Sequence, residues 1–107
     1  MKLKKLANLK NVRIEMPIDF ELGGVAFKFT ALVKLVTQAD IDDINKNKTS
    51  DPEIVSQLLV GWTGFTDEGE DVPYSQGVKA EMLAFPGIAN RLATACLQAQ
   101  YAVQEKN

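Results

Sequence analysis

The sequence contains no histidine. A Ser-His-Asp triad, a Cys-His dyad and any zinc site with an imidazole ligand all need that ring, so all are excluded. Cysteine is nearly absent as well. Cys96 stands alone, so neither an internal disulfide nor a four-cysteine metal site can form. A single thiol suits a reducing interior. No apolar run approaches the roughly 18 residues that span a bilayer, and the N-terminal lysines lack the long apolar stretch of a secretory signal. The absences together predict a cytoplasmic protein with no membrane partner.

What is present is ordinary in amount and uneven in arrangement. The chain of 107 residues is 46% apolar and 24% charged, a composition that supports one folded core. The net charge is −2, yet residues 1–36 hold seven basic and three acidic side chains, and residues 37–107 hold five and eleven. Such asymmetry favours docking in one orientation. It is too weak, and of the wrong overall sign, for nucleic-acid binding.

Residues 1–10 read as a flexible basic leader in which Leu3, Leu6 and Leu9 alternate with Lys2, Lys4, Lys5 and Lys10. Leucines at spacing three could form a helical turn or two on a partner, but so short a helix is marginal alone. From Val12 the period becomes two. Ile14, Met16, Ile18 and Phe20 alternate with polar residues, Gly23-Gly24 supplies a two-residue turn, and Phe27, Phe29, Ala31, Val33 and Leu35 share the next parity. Pairing Leu22 with Val25 places apolar opposite apolar along one face and Asp19 opposite Lys28 on the other. Pro17 has no N–H, which predicts an edge strand or a bulge at that residue.

The rest reads as helices. Thr37 and Asp40 suggest a capping box before Ile41 and Ile44. Pro52 opens a second helix in which Ile54, Val55, Leu58, Leu59 and Trp62 repeat at helical spacing, with Gly61 and Gly64 at its end. Residues 66–75 form a loop. Ser75 caps a third helix over residues 76–84, with Val78, Met82 and Phe85 facing inward. Pro86 starts a long alanine-rich fourth, with Ile88, Leu92, Ala95, Cys96, Ala99 and Val103 in one stripe, widened by Ala89, Ala93, Leu97 and Tyr101. The expected fold is α+β: a single domain over residues 11–107, with an antiparallel hairpin (11–36) and about four helices packed on it as a bundle (37–107).

Candidate chemistry is sparse. Asp67, Glu68, Glu70 and Asp71 surround Gly69, but their spacing does not match a calcium loop, so they read as a solvated turn or a partner-facing acidic edge. Gly61-Trp62-Thr63-Gly64 lacks the Gly-Lys-Ser/Thr of a phosphate loop, and Trp62 reads as core. Asp40, Asp42 and Asp43 open a helix, where the dipole favours carboxylates in any case. Cys96, in an apolar stripe, reads as an inert buried thiol. No metal, cofactor or catalytic residue is assigned.

One stretch carries a resemblance. Leu58-Leu59-Val60-Gly61-Trp62-Thr63-Gly64-Phe65 leads into the acidic glycine turn, then Val72-Pro73-Tyr74-Ser75, a short helix, and Phe85-Pro86-Gly87-Ile88-Ala89. In order and spacing this resembles the small tail assembly chaperones of long-tailed bacteriophages and prophages, over roughly residues 51–101. The turn, Asp-Glu-Gly-Glu-Asp, departs from the family's usual Asp-Gly form. The resemblance implies a non-enzymatic protein of the bacterial host cytoplasm. It would bind the aggregation-prone tape measure protein and recruit tail tube protein subunits before polymerisation, without a cofactor and with self-association open. A binding role of this kind needs apolar surface. The candidates are Leu32 and Val36 on the hairpin and Ala93, Leu97 and Tyr101 on the last helix. The rival readings are a self-assembling tail tube or completion protein, and a small carboxylate enzyme with two convergent acids of raised pKa.

Overall fold

A computed structural model describes residues 4–102. In chain order they form helix α1 (Lys4–Asn8), a 3-10 turn (Leu9–Asn11), strands β1 (Arg13–Leu22) and β2 (Val25–Lys34), helices α2 (Gln38–Lys46) and α3 (Asp51–Leu58), strands β3 (Leu59–Thr63), β4 (Thr66–Asp67) and β5 (Glu70–Asp71), and helices α4 (Gln76–Leu83) and α5 (Pro86–Tyr101). The architecture is α+β, with the antiparallel hairpin first and five helices instead of about four. Among the described residues no helix is long and apolar enough to cross a membrane.

The hairpin has the register expected from its sequence, from Leu22 opposite Val25 to Arg13 opposite Lys34. Gly23 and Gly24 take φ of 59° and 83°, the left-handed pair that lets a two-residue turn follow the twist of its strands. Ile14, Ile18, Phe29, Ala31 and Val33 are buried on one face. Asp19 and Lys28 face each other on the other side and are exposed.

The main departure lies at residues 59–63. Helix α3 ends at Leu58, and the chain turns directly into β3, which pairs antiparallel with β2 and makes the sheet three-stranded in the order β1-β2-β3. The cause is a bulge. Leu32 pairs with Gly61 but Val33 pairs with Leu59, which leaves Val60 as the extra residue. The bulge resets the alternation, so Leu59 and Trp62, three apart, both point into the core. Three-residue spacing is also helical spacing, and this is why the segment reads as a continued helix. The acidic loop departs too. Residues 66–71 form a small hairpin, with Glu68 and Gly69 at φ of 50° and 82° in its turn.

The helix starts follow expectation. At α2, Asp40 N–H donates to Thr37 Oγ1 at 3.2 Å and Thr37 N–H donates to Asp40 Oδ2 at 3.1 Å, a reciprocal capping box. At α4, Val78 N–H donates to Ser75 Oγ at 3.1 Å. Pro52 and Pro86 each sit in a first helical turn, where no N–H is needed.

The helices pack on one another and on one face of the sheet, as expected, but Phe85, expected to face inward, is 59% exposed because it precedes α5 at the break between two helices. Helix α5 packs against β1, α3 and α4, and α3 also reaches β2. Val33, Val55, Leu58, Leu92, Cys96 and Ala99 fill the space between sheet and helices and are almost fully buried. Burial of one such leucine or valine side chain contributes about 1.5–3 kcal/mol. An aromatic group closes one end of this core: Phe29 stacks on Phe65 at 4.7 Å, and Trp62 meets Tyr74 edge-on at 4.8 Å. Trp62 Nε1 donates to the Val72 carbonyl at 2.8 Å, so the indole is both buried and satisfied.

The leader is helical over Lys4–Asn8 and Leu9–Asn11 and buries none of these residues. Leu6 and Leu9 are 58% and 44% exposed. Leu3 and Val103 lie outside the described residues.

Candidate functional site

The five surface candidates do not form one patch. Leu32, half-buried, lies on the sheet face away from the helices, and its side chain covers Gly61; a Cβ on that glycine would sit 3.1 Å from Leu32 Cδ1. Ala93 is 2% exposed. It faces the core, not a partner, because α5 packs on β1 and α3 at once and its stripe of small residues is used up by that packing. Val36, half-buried, is tied to the last turn of α5, the helix that also carries Leu97 and Tyr101. There Gln100 bridges α5 to the end of β2. Val36 N–H donates to Gln100 Oε1 at 2.9 Å, and Gln100 Nε2 donates to the Lys34 carbonyl at 2.9 Å. The carboxamide thereby extends the ladder past Lys34 as a short strand would. Tyr101, next in sequence, is 69% exposed.

A groove missed from sequence runs elsewhere, between β1 and α5, with a volume of about 580 Å³. Met16, Phe20 and Leu22 line one wall, and Gly87, Arg91, Thr94 and Gln98 line the other. The helical positions are three or four apart and so share a face. Arg91 lies over the Phe20 ring, 5.4 Å from its centroid, and Leu22 approaches so near that a Cβ on Gly87 would meet its Cδ1 at 3.3 Å. Met16 and Phe20 share the parity of the core residues yet are only half-buried. The reason is topological: β1 is an edge strand, and α5 covers only part of its inner face.

Pro17 gives the edge its character. Leu22 and Val25 flank the turn as a hydrogen-bonded pair, so the odd residues of β1 turn their backbone groups away from β2. Pro17 is one of them, and its missing N–H removes no bond to β2. With Glu15, Asp19 and Glu21 on the same strand, the edge resists indiscriminate strand pairing, while the apolar groove beside it stays open.

Among the described residues, the surroundings of Asp40 and Cys96 shift their ionisation. The Asp40 carboxyl is held below its ordinary range by the hydrogen bonds from the Thr37 backbone and hydroxyl, the opposite of what a general acid needs. Burial pushes the Cys96 thiol up to about 12, with the Lys79 ammonium opposing. Lys79 is itself buried, and its Nζ donates to the carbonyls of Ser56 at 3.3 Å and Leu59 at 3.1 Å. Among the described residues no three cysteine or carboxylate side chains gather as a metal site would require.

No protein-family model matches the chain, and no curated protein or solved structure is similar enough to count as a match.

Proposed function

We propose that the protein is a tail assembly chaperone of a long-tailed phage or prophage, acting in the bacterial host cytoplasm. It binds the tape measure protein, recruits tail tube subunits during tail morphogenesis, and catalyses no reaction. The observation that supports this reading is the β1–α5 groove. It offers Met16, Phe20 and Leu22 as half-exposed apolar surface, with Arg91 and a row of small and amide side chains opposite. A methionine and an aromatic side chain adapt to varied apolar segments, which suits a client with a long, repetitive apolar pattern. Pro17 and the carboxylates of β1 limit the client to the groove and keep the strand edge from seeding aggregation.

The test is co-expression with the tape measure protein, whose very long reading frame is expected just downstream. The tape measure protein should move from the pellet to the soluble fraction only when this chain is present. If it partitions identically with and without the chain, the reading is wrong. The self-assembling tail component predicts instead that the chain is found in purified particles.

A further inference from the structure

A second surface lies at the turn end of the hairpin. A pocket of about 360 Å³ lies between the turn end of β2, the β4–β5 hairpin and α4. Phe27, Phe65, Val72 and Met82 give it an apolar lining, Asp67 and Glu81 are its exposed charged residues, and no lysine or arginine among the described residues lines it. The rest of the acidic turn, Glu68, Glu70 and Asp71, lies close in sequence to Asp67 and is exposed. At the opposite end of the hairpin, residues 4–11 carry the complementary chemistry: exposed Leu6 and Leu9 among Lys4, Lys5 and Lys10.

The arm cannot reach the pocket of its own chain. Strand β1 has ten residues, which places the two ends of the hairpin about 30 Å apart. Residues 4–11 in helical form extend only about 12 Å. The match can therefore be made only between molecules.

We propose that the leucine-lysine arm of one copy docks into the acid-rimmed apolar pocket of the next. The leucines enter the pocket and the lysines meet Asp67, Glu81 and the neighbouring turn carboxylates. The contact joins two different surfaces, so it is heterologous and propagates head to tail into a chain or a closed ring. It leaves the β1–α5 groove free and does not depend on the identity of any client.

Sedimentation velocity of the full chain over a concentration series, at about 50 and 500 mM salt, tests this. The expected result is association that grows with concentration at low salt and recedes at high salt. Two charge-reversed variants, K4E/K5E/K10E and D67K/E81K, should each associate at least about tenfold more weakly with an unchanged melting temperature, because like charges then face each other. Mixing the two should restore association, since each supplies the surface that the other lacks. Should D67K/E81K lose its fold, L6D/L9D gives the same reading from an arm that buries nothing. A wild-type chain that stays monomeric at low salt, or association that survives the arm variants, overturns the proposal. So does a monomer whose arm variants lose only the tape measure protein, for the arm then serves that client.

Discussion

Lys79 Nζ donates to the carbonyl oxygen of Leu59 at 3.1 Å, inside the protein and with no carboxylate partner among the described residues. Leu59 is the residue at which α3 stops and β3 begins. A helix end leaves carbonyls without intrahelical donors, and its dipole favours a cation there. Lys79 supplies both needs, for Leu59 and for Ser56, and lies 5.5 Å from the centre of the Tyr74 ring. The Tyr74 hydroxyl donates to the same Leu59 carbonyl at 3.3 Å. The abrupt change from helix to strand is thus held from α4 and the segment before it.

Replacing Lys79 with methionine keeps the stem and removes the donors. The Ser56 carbonyl then loses this donor and the Leu59 carbonyl keeps only the Tyr74 hydroxyl, and the expected loss is about 1–2 kcal/mol of folding stability. Urea unfolding followed by circular dichroism measures it. A loss within about 0.5 kcal/mol, the range of a surface substitution, contradicts the assigned role.

Glu68 holds φ of 50° in the β4–β5 turn, a conformation that suits asparagine or glycine better. Glu68→Asn should stabilise the protein by about 0.5–1 kcal/mol. Thermal melting at matched salt shows it. A lower melting temperature means that the side chain contributes more than the backbone strain removes.

The Gln100 bridge predicts a local effect. Gln100→Leu removes the bonds to Val36 N–H and the Lys34 carbonyl and should cost about 1–2 kcal/mol. Amide exchange should quicken at Val36 and in the last turn of α5 more than at Leu92, which lies deep in the core.

Cys96 predicts a pH dependence. Its thiol stays neutral in the folded protein up to about 12, whereas in the unfolded chain it ionises from its ordinary value near 9. The folded pKa is the higher one, so the contribution of this group is complete below pH 9 and is lost as pH rises towards 12. Wild type should lose stability between these values more steeply than Cys96→Ala, by up to about 1.4 kcal/mol per pH unit. At pH 8 a thiol reagent should modify Cys96 only as fast as the core opens.

Much of this fold is legible in the residues. The hairpin register follows from strict alternation and from two glycines that can both take positive φ. Pro17 marks the edge strand, and Thr37, Ser75 and Pro86 mark three helix starts. The third strand is not legible, because the bulge at Val60 gives Leu59 and Trp62 the spacing of a helix. The groove is hidden for a related reason. Met16 and Phe20 alternate like core residues, and only the three-dimensional limit of α5 shows that they are half-covered. Ala93 errs the other way: an alanine stripe reads equally as surface or as close packing, and here it packs.

If the β1–α5 groove seats the client, a side chain that fills the groove abolishes solubilisation of the client. Thr94 lines the groove and is exposed, so Thr94→Arg fills the space without disturbing the core. Thr63→Arg, on the sheet face away from the helices, serves as the control. The measurement is the soluble fraction of tape measure protein on co-expression with each variant. Thr94→Arg should lose most of the solubilising activity while melting like wild type, and Thr63→Arg should keep it. Full activity in Thr94→Arg, or equal loss in both, means that the groove does not seat the client.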